Sequence, residues 1–494
     1  MSNEQLPSKP AIDKGSYSLE VFKPEWMPFN ETAHKLCDDM ITRYEFQSSG
    51  RIGKRYRLVM ASFLYVLARL PVRTPSGKPD KPLYVGISRH AAAWSAYPMV
   101  GKDINLRVLD KLVLEGVLVK VEGSGSRQFT RDDETSRISA NPVMTMYDVD
   151  HSKLDLSDLK EARYVQVGKA TLKVNVAEDR LQREYRKGRD LKKPVLSPTV
   201  ITDVFGDTLK PAQERVQALN DLWSDHPLVL PSGHAAACAT RVFHDGRHDA
   251  GGRFYGLWTH LPGDYRLQST IDGEPICQID ISGSQPTLLS ALLGIKFNYI
   301  PEVETWYDVY TQLTNLWHHG VTSDDVYAAL DDANLPDPFK RPRVIAKRVI
   351  MEMIGTGNAS KEKPSQQLIM DTGITQYEWD HFSERLIGAI PALKKLEPRY
   401  DSKGCLTGYI NGPGFLSFHE SEMVLATIEK LHSLAVPAYP MHDCLIVKET
   451  DVVKSVKIFQ ETVGEYCFDL SGLKVKVPLT IENAHGRMSF KDTN

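Results

Sequence analysis

The sequence predicts an α+β protein of more than one domain, and three observations carry that expectation. The chain has 494 residues, more than a single core usually serves. Residues Arg57–Leu70 (RLVMASFLYVLARL) are long and apolar enough for a buried helix. Pro275–Ser282 (PICQIDIS) and Val436–Glu449 (VPAYPMHDCLIVKE) read instead as a short core strand and a β-hairpin. Hydrophobic residues make up 41% and charged residues 25%, enough apolar material for at least one large core. The six cysteines stand singly, with neither a CxxC pair nor the His/Cys spacing of a zinc site, which fits a reduced cytoplasmic compartment. The polar start (MSNEQLPSKPAIDKGS) predicts no signal peptide, and no stretch is long and apolar enough to span a membrane. A net charge of −3 excludes a polycation, so any nucleic-acid contact must come from local basic patches.

Residues 1–33, rich in Pro, Ser and Lys, read as a flexible arm. Residues 34–145 read as a small helical unit ending in a hairpin. After the helix at Arg57–Leu70, Ser88 is suited to cap a short helix through Trp94. A third helix is expected over Asp103–Glu115, with Leu106, Leu109 and Val113 on one face and Lys102, Arg107 and Lys111 on others. In VLVKVEGSGSRQFTR, Val117–Val121 alternates like a strand, Gly123 to Ser126 turn, and Arg127–Arg131 return. Three helices followed by a basic-tipped hairpin resemble a winged helix-turn-helix. A DNA-binding version would set the third helix, with Lys102 and Arg107, in the major groove and bring Arg127 and Arg131 near phosphates. The same shape also serves protein contacts. Residues 146–238 read as a helical basic connector. Its cluster Arg180, Arg183, Arg186, Lys187, Arg189, Lys192 and Lys193 is either a phosphate-tracking face or simply a solvated one.

Residues 239–494 carry the chemistry. Asp280 lies near the end of the predicted strand Pro275–Ser282, just before a helix over Pro286–Leu293. A carboxylate there is costly to bury without a cation or donors, although a helix cap or turn is the plainer use. His442-Asp443 forms the tip of the hairpin, where no Gly or Asn relieves the turn and apolar residues close in on both sides. Between the acids lies Arg341–Asn358 (RPRVIAKRVIMEMIGTGN), which reads as helical from Val344 to Ile354, with Arg343 and Lys347 four apart on one face. Ile345, Val349 and Met353 form a separate apolar stripe. Such a basic face suits a triphosphate, or is merely the outer face of an amphipathic helix. The order is informative: an acid on a strand, a basic helix, a long helix, an acid in a hairpin. Two carboxylates can hold two divalent cations about 4 Å apart, one activating a 3′-hydroxyl and one stabilising a leaving pyrophosphate. Arg343 and Lys347 would neutralise the triphosphate, which puts Lys347 among the catalytic candidates with Asp280 and Asp443.

These motifs resemble the palm of family-A polymerases, the group of DNA polymerase I and the single-subunit phage and mitochondrial RNA polymerases. Asp280-Ile281-Ser282 is similar to the first palm motif, Arg343 with Lys347 to the finger-helix motif, and His442-Asp443 to the last palm motif. Arg348 and Met351 match the RNA-polymerase branch. GRFYGLWTHLPGDYR and GFLSFHESEMVLATIEKL also resemble mobile-element proteins with a palm of this kind. The resemblance implies a right-hand palm with small fingers behind the winged-helix-like domain, the connector being thumb-like. It implies two Mg²⁺ ions, with Mn²⁺ as the substitute, held by Asp280, Asp443 and the Ile281 backbone carbonyl. It further implies that Arg343, Lys347, Arg348, Gln285 and Gly355 line the nucleotide site, and that Arg253 and His442 meet primer or template. Two departures bear on sugar choice. Gly355 stands where the family has Tyr-Gly, and Gln285 stands where its DNA polymerases have Glu. Glu420 and Ser421 are expected to cap a helix, and His419 to lie at the surface or serve as a cap.

The sequence therefore predicts a nucleotidyltransferase that adds nucleotides to a 3′-hydroxyl on a template, as an RNA polymerase, primase or DNA polymerase. Its partners would be primer, template and nucleoside triphosphates. The rival from another class is a replication initiator or regulator that binds DNA through the N-terminal domain without polymerising.

Overall fold

The structure is a computed structural model. It describes residues 18–69, 83–88, 94, 97, 99–121, 144–150, 154, 157–176, 196, 198–295, 310, 313–316, 337–359, 362–396, 413–473 and 475–488. The chain is a mixture of helices and strands that divides into two compact units. One comprises Met1–Arg241 with Tyr255–Pro262, the other Val242–Phe254 with Gly263–Asn494.

The first unit begins with β1 (Ser18–Val21) and β2 (Trp26–Pro28), followed by α1 (Glu31–Arg43) and α2 (Gly50–Arg69). Asn30 caps α1 by accepting from the Ala33 amide at 3.0 Å. The apolar run expected as a helix forms the C-terminal part of α2, where every residue from Leu58 to Leu67 is buried. A helix apolar on all sides must be enclosed, and α1, β2 and the following helix enclose it. Each of its large aliphatic side chains contributes about 1.5–3 kcal/mol through burial. Its one polar member, Ser62, donates to the Leu58 carbonyl at 2.7 Å and accepts from the Trp26 amide at 2.9 Å.

Next come β3 (Leu83–Ser88), α3 (Lys102–Leu114), β4 (Leu118–Lys120) and β5 (Met144–Val149). Ser88 ends β3, and residues 89–93, where a capped helix was expected, lie outside the described residues. The buried stripe of α3 is Asn105, Val108, Leu109 and Leu112, not Leu106, Leu109 and Val113. Leu106 and Val113 are half-buried and flank that stripe, each one position beyond a buried residue. Strand β4 pairs antiparallel with β5, Leu118 opposite Val149, and β5 pairs antiparallel with β3. The sheet order is β1-β3-β5-β4. The turn at 123–126 and the return Arg127–Arg131 lie outside the described residues, as does the basic cluster from Arg180 to Lys193. The unit continues with β6 (Tyr164–Gln166), β7 (Leu172–Val174), α4 (Pro198–Phe205), α5 (Lys210–Asp225), β8 (Leu228–Val229) and β9 (Ala235–Ala236). Strand β6 pairs with β2 on one edge and β9 on the other.

Strand β10 (Ala239–Phe243) leads toward the second unit, where β11 (Gly251–Gly256), α6 (Gly263–Arg266) and β12 (Thr270–Ile271) precede β13 (Glu274–Ile281). Asp272 and Gly273 join β12 to β13 with φ of 54° and 79°. Asp-Gly tolerates that left-handed pair, which matches the twist of a two-residue hairpin. After β13 come α7 (Ser284–Leu292), α8 (Asp337–Thr356), α9 (Gln366–Thr372), α10 (Gln376–Ala389), α11 (Pro413–Ser433), β14 (Tyr439–Met441), β15 (Cys444–Lys448), α12 (Val452–Ser471), β16 (Leu479–Asn483) and β17 (Gly486–Met488).

Strand β13 is central. It pairs antiparallel with β15 on one side and with β16 on the other. Strand β14 extends the sheet beyond β15, and β17 extends it beyond β16. A strand flanked on both edges satisfies its whole backbone, which suits the near-continuous apolar run Ile276, Cys277, Ile279 and Ile281. Helices α7, α11 and α12 pack on one another, and α12 packs against β13 and β15.

Candidate functional site

Asp280 is the penultimate residue of β13. Its neighbours Ile279 and Ile281 are buried, and side chains alternate along a strand. Asp280 is therefore turned to the opposite face, where its side chain reaches solvent. Its partner across the ladder is Cys444. The residue before Cys444 is Asp443, so the ladder brings the two sequence-predicted acids side by side. His442 and Asp443 are the two residues between β14 and β15. His442 carries φ of 60°, the left-handed value that a tight hairpin demands at its first turn position and that glycine normally supplies.

The electrostatics follow from that placement. Loss of water around the Asp280 carboxyl, then repulsion by Asp443, push its pKa well above the usual carboxylate range, with Glu420 adding to the rise. Lys347 pulls the other way. The crowding of Asp280 is one-sided, since its outer edge stays open to water. Burial, followed by the charges of Asp280 and Asp443, also raises the Cys444 thiol, which therefore stays protonated beneath the acids.

Two residues that the sequence reading did not place in the site are tied to Asp443. Ser284, the first residue of α7, has its hydroxyl 2.7 Å from Asp443 Oδ2 and 2.8 Å from Glu420 Oε1. Gly283, with φ of 63°, makes the sharp turn from β13 into α7 that points Ser284 this way. Glu420 is fully buried in the interior of α11 and caps nothing, contrary to expectation. Its other oxygen, Oε2, accepts from Arg253 Nε at 2.8 Å and from Arg253 Nη2. Burial first, then the Asp443 charge, raise the Glu420 pKa to about 7 against the pull of Arg253 and Ser284. A hydroxyl has one proton, so Ser284 donates to one of the two carboxylates at a time while both are ionised. The sequence did hold a signal for Glu420. Leu416, Met423 and Val424, its neighbours at helical spacing, are all apolar, so the acid sits on a core-facing stripe. Ser421, next to it, donates to the Gly252 carbonyl. Gly251, at the start of β11, leaves no room for a side chain, since a Cβ there would meet the His244 ring at 2.3 Å.

The other predicted residues fall in several places. Lys347 is exposed on α8, near enough to act on Asp280, with its Nζ 5.8 Å from the centre of the Tyr310 ring. Arg343 lies half-buried one turn earlier on α8. Arg348 is turned to Asp371 of α9, 3.4 Å away. Gly355 faces open solvent, where a Cβ would meet nothing within 4 Å. Gln285 is buried within α7, its Oε1 without a hydrogen-bond partner. Arg253 is committed to Glu420. Ile281 is buried and extends β13 one residue past Asp280. Lys102 and Arg107 are exposed on α3, in the other unit. His419 is not at the surface: it is buried in α11, with its Nδ1 2.7 Å from the Tyr466 hydroxyl, and desolvation lowers its pKa.

Among the described residues, no group of three or more His, Cys, Asp or Glu side chains forms a ready metal cage. The site offers two neighbouring carboxylates. That donor set is too sparse for a buried structural ion. It fits Mg²⁺, which takes one or two carboxylates and completes its shell with water and substrate phosphates.

Among the described residues, no helix is long and apolar enough to cross a membrane. No family model matches the chain. No curated protein matches it either. Among solved structures, the chain is similar to one described as "POL domain of Pol1 from M. smegmatis complex with DNA primer-template and dNTP". The identity is 11% and the TM-score 0.34, over 58% of this chain and 56% of that one. The chain thus spans little more than half the length of that polymerase domain, and a likeness so faint supports no inference about activity.

Proposed function

We propose that the second unit is a polymerase palm with compact fingers, and that it adds nucleotides to a 3′-hydroxyl on a nucleic-acid template. One observation carries the reading: two acids far apart in the chain meet across the β13–β15 ladder, where their charges repel and Lys347 opposes the repulsion. Like charges held together suit a site that takes counter-charge from a bound cation.

Asp280, Asp443 and the Ile281 carbonyl would hold the divalent ions. Bound there, Mg²⁺ supplies Lewis acidity to the attacking hydroxyl and to the leaving pyrophosphate. The protein's own part is positional and electrostatic. Strand β13, paired on both edges, fixes Asp280, and the two-residue turn brings Asp443 beside it. Lys347, exposed and mobile on α8, meets the triphosphate as negative charge moves onto it, with Arg343 one turn away. His442 sits at the turn tip, where it can meet the primer end.

In the first unit, the order α2, β3, α3, β4, β5 with β5 lying between β3 and β4 supports a winged-helix-like reading. The exposed Lys102 and Arg107 on α3 favour nucleic acid as its partner. These features also favour the second reading, a DNA-binding initiator or regulator without synthesis.

Extension of labelled primers on DNA and RNA templates, with ribo- and deoxyribonucleotides and Mg²⁺ or Mn²⁺, separates the two. The polymerase reading expects incorporation that falls roughly a thousandfold in Asp280→Asn and in Asp443→Asn, with DNA binding unchanged. Absence of any incorporation by the wild-type chain, with DNA binding intact, would favour the binding-only reading.

A further inference from the structure

We propose that Ser284 is a positioning residue for Asp443. Its hydroxyl holds Oδ2 so that the carboxylate keeps its other oxygen for the cation shared with Asp280, and Glu420 with Arg253 anchors the hydroxyl from behind. The proposal deepens the polymerase reading and rests on it.

The need for such a hold lies in where Asp443 stands. It occupies a two-residue turn, it is half-buried, and the residue before it already has a left-handed backbone. A turn residue has no ladder hydrogen bond to fix its side chain, and an unfixed carboxylate is a poor ligand. Ser284 supplies the missing constraint from a rigid element. It is the first residue of α7, a helix packed against both α11 and α12. Only 6% of its surface is exposed, so water does not compete for the hydroxyl. Its contact to Asp443 Oδ2 is 2.7 Å, a short bond to a charged acceptor. On the far side, Glu420 Oε1 stands 2.8 Å from the same hydroxyl, and Arg253 holds Glu420 Oε2. The chain Arg253–Glu420–Ser284–Asp443 joins β11, α11, α7 and the β14–β15 turn, so the orientation of Asp443 is set by three elements other than its own. The hydroxyl is not spent on capping α7, because the N-cap position belongs to Gly283.

The test is Mn²⁺ binding to the full chain, followed by the electron paramagnetic resonance signal of free Mn²⁺, beside primer extension at graded Mg²⁺. The wild-type chain is expected to bind Mn²⁺ and Asp280→Asn to lose that binding. Ser284→Ala should weaken Mn²⁺ binding about tenfold and raise the Mg²⁺ needed for half-maximal extension by a similar factor. The KM for nucleotide at saturating Mg²⁺ should stay as in the wild type. Ser284→Thr, which keeps the hydroxyl, should bind Mn²⁺ within about threefold of wild type. If Ser284→Ala fails to fold because it orphans a buried carboxyl, the double variant Ser284→Ala with Glu420→Gln removes that charge, and the same tenfold loss is expected. Wild-type Mn²⁺ affinity in Ser284→Ala, or in the double variant, overturns the proposal while the polymerase reading stands. Loss in Ser284→Thr equal to that in Ser284→Ala overturns it too, because size rather than the hydroxyl would then matter. Mn²⁺ binding that is absent from the wild-type chain, or untouched by Asp280→Asn, overturns the reading and the proposal together.

Discussion

Arg253 reaches from β11 to a wholly buried Glu420 on α11, with Nε 2.8 Å from Oε2. A buried charge keeps its place only while its partner remains. Arg253→Ala is therefore expected to destabilise the second unit by about 3 kcal/mol, measured by urea unfolding. Adding Glu420→Gln should recover at least about 1 kcal/mol of that loss, since the orphaned acid is then gone. Equal losses in the single and double variants would show that the pair is not coupled.

The same carboxyl makes stability depend on pH. In the folded chain the Glu420 pKa is raised to about 7 from an ordinary 4.5. The folded state thus binds the proton more tightly than the unfolded state. The resulting stabilisation is fully present below pH 4.5 and is lost as pH rises through about 7. The full span is worth roughly 3 kcal/mol. Within a window where the rest of the chain is unchanged, the urea midpoint should fall from pH 5.5 toward about pH 8. Glu420→Gln should flatten that slope.

On α8, neighbouring cations have different partners. Lys347 acts on Asp280, whereas Arg348 pairs with Asp371. Lys347→Ala should lower kcat/KM for nucleotide roughly a hundredfold. Arg348→Ala should cost less than about tenfold, because an exposed ion pair is worth about 1 kcal/mol or less. Steady-state kinetics at saturating Mg²⁺ would show the contrast, and a larger loss at Arg348 would place it on the triphosphate after all.

His442 carries a left-handed backbone at the hairpin tip. Replacing it with glycine relieves about 1 kcal/mol of strain, so His442→Gly should unfold at a higher urea concentration than the wild type. His442→Val should unfold at a lower one. Loss of primer extension in the more stable His442→Gly chain would mark strain retained for function.

Much of this arrangement is legible in the residues. Strand β13 and the β14–β15 hairpin are written in short apolar runs, and α2 in an unbroken apolar helix. The motif order anticipates that Asp280, Asp443 and Lys347 belong together. The stripe of α3 was misplaced, because half-buried edge residues look the same as core ones in a periodicity argument. Arg253 and Glu420 illustrate the larger gap. Each is readable alone, as an Arg in a Gly-rich turn and an acid near a helix start, but their pairing leaves no mark on local sequence. Gln285 is the reverse case: a motif position suggests contact with substrate, and burial within α7 removes it from solvent.

By itself, the sequence marked the helix α2, the strand β13 and the β14–β15 hairpin, and which acids are costly enough to demand a reason, since propensity and hydrophobic period act over a few neighbouring residues. It read as arm and helical connector two stretches that carry β1, β2 and β6 to β9. The tertiary structure alone decided that Cys444 lies opposite Asp280, that Ser284 stands between two carboxylates, and that Arg348 turns away. Those outcomes depend on ladder register and helix packing between distant segments, where a shift of one residue would send each side chain to another face.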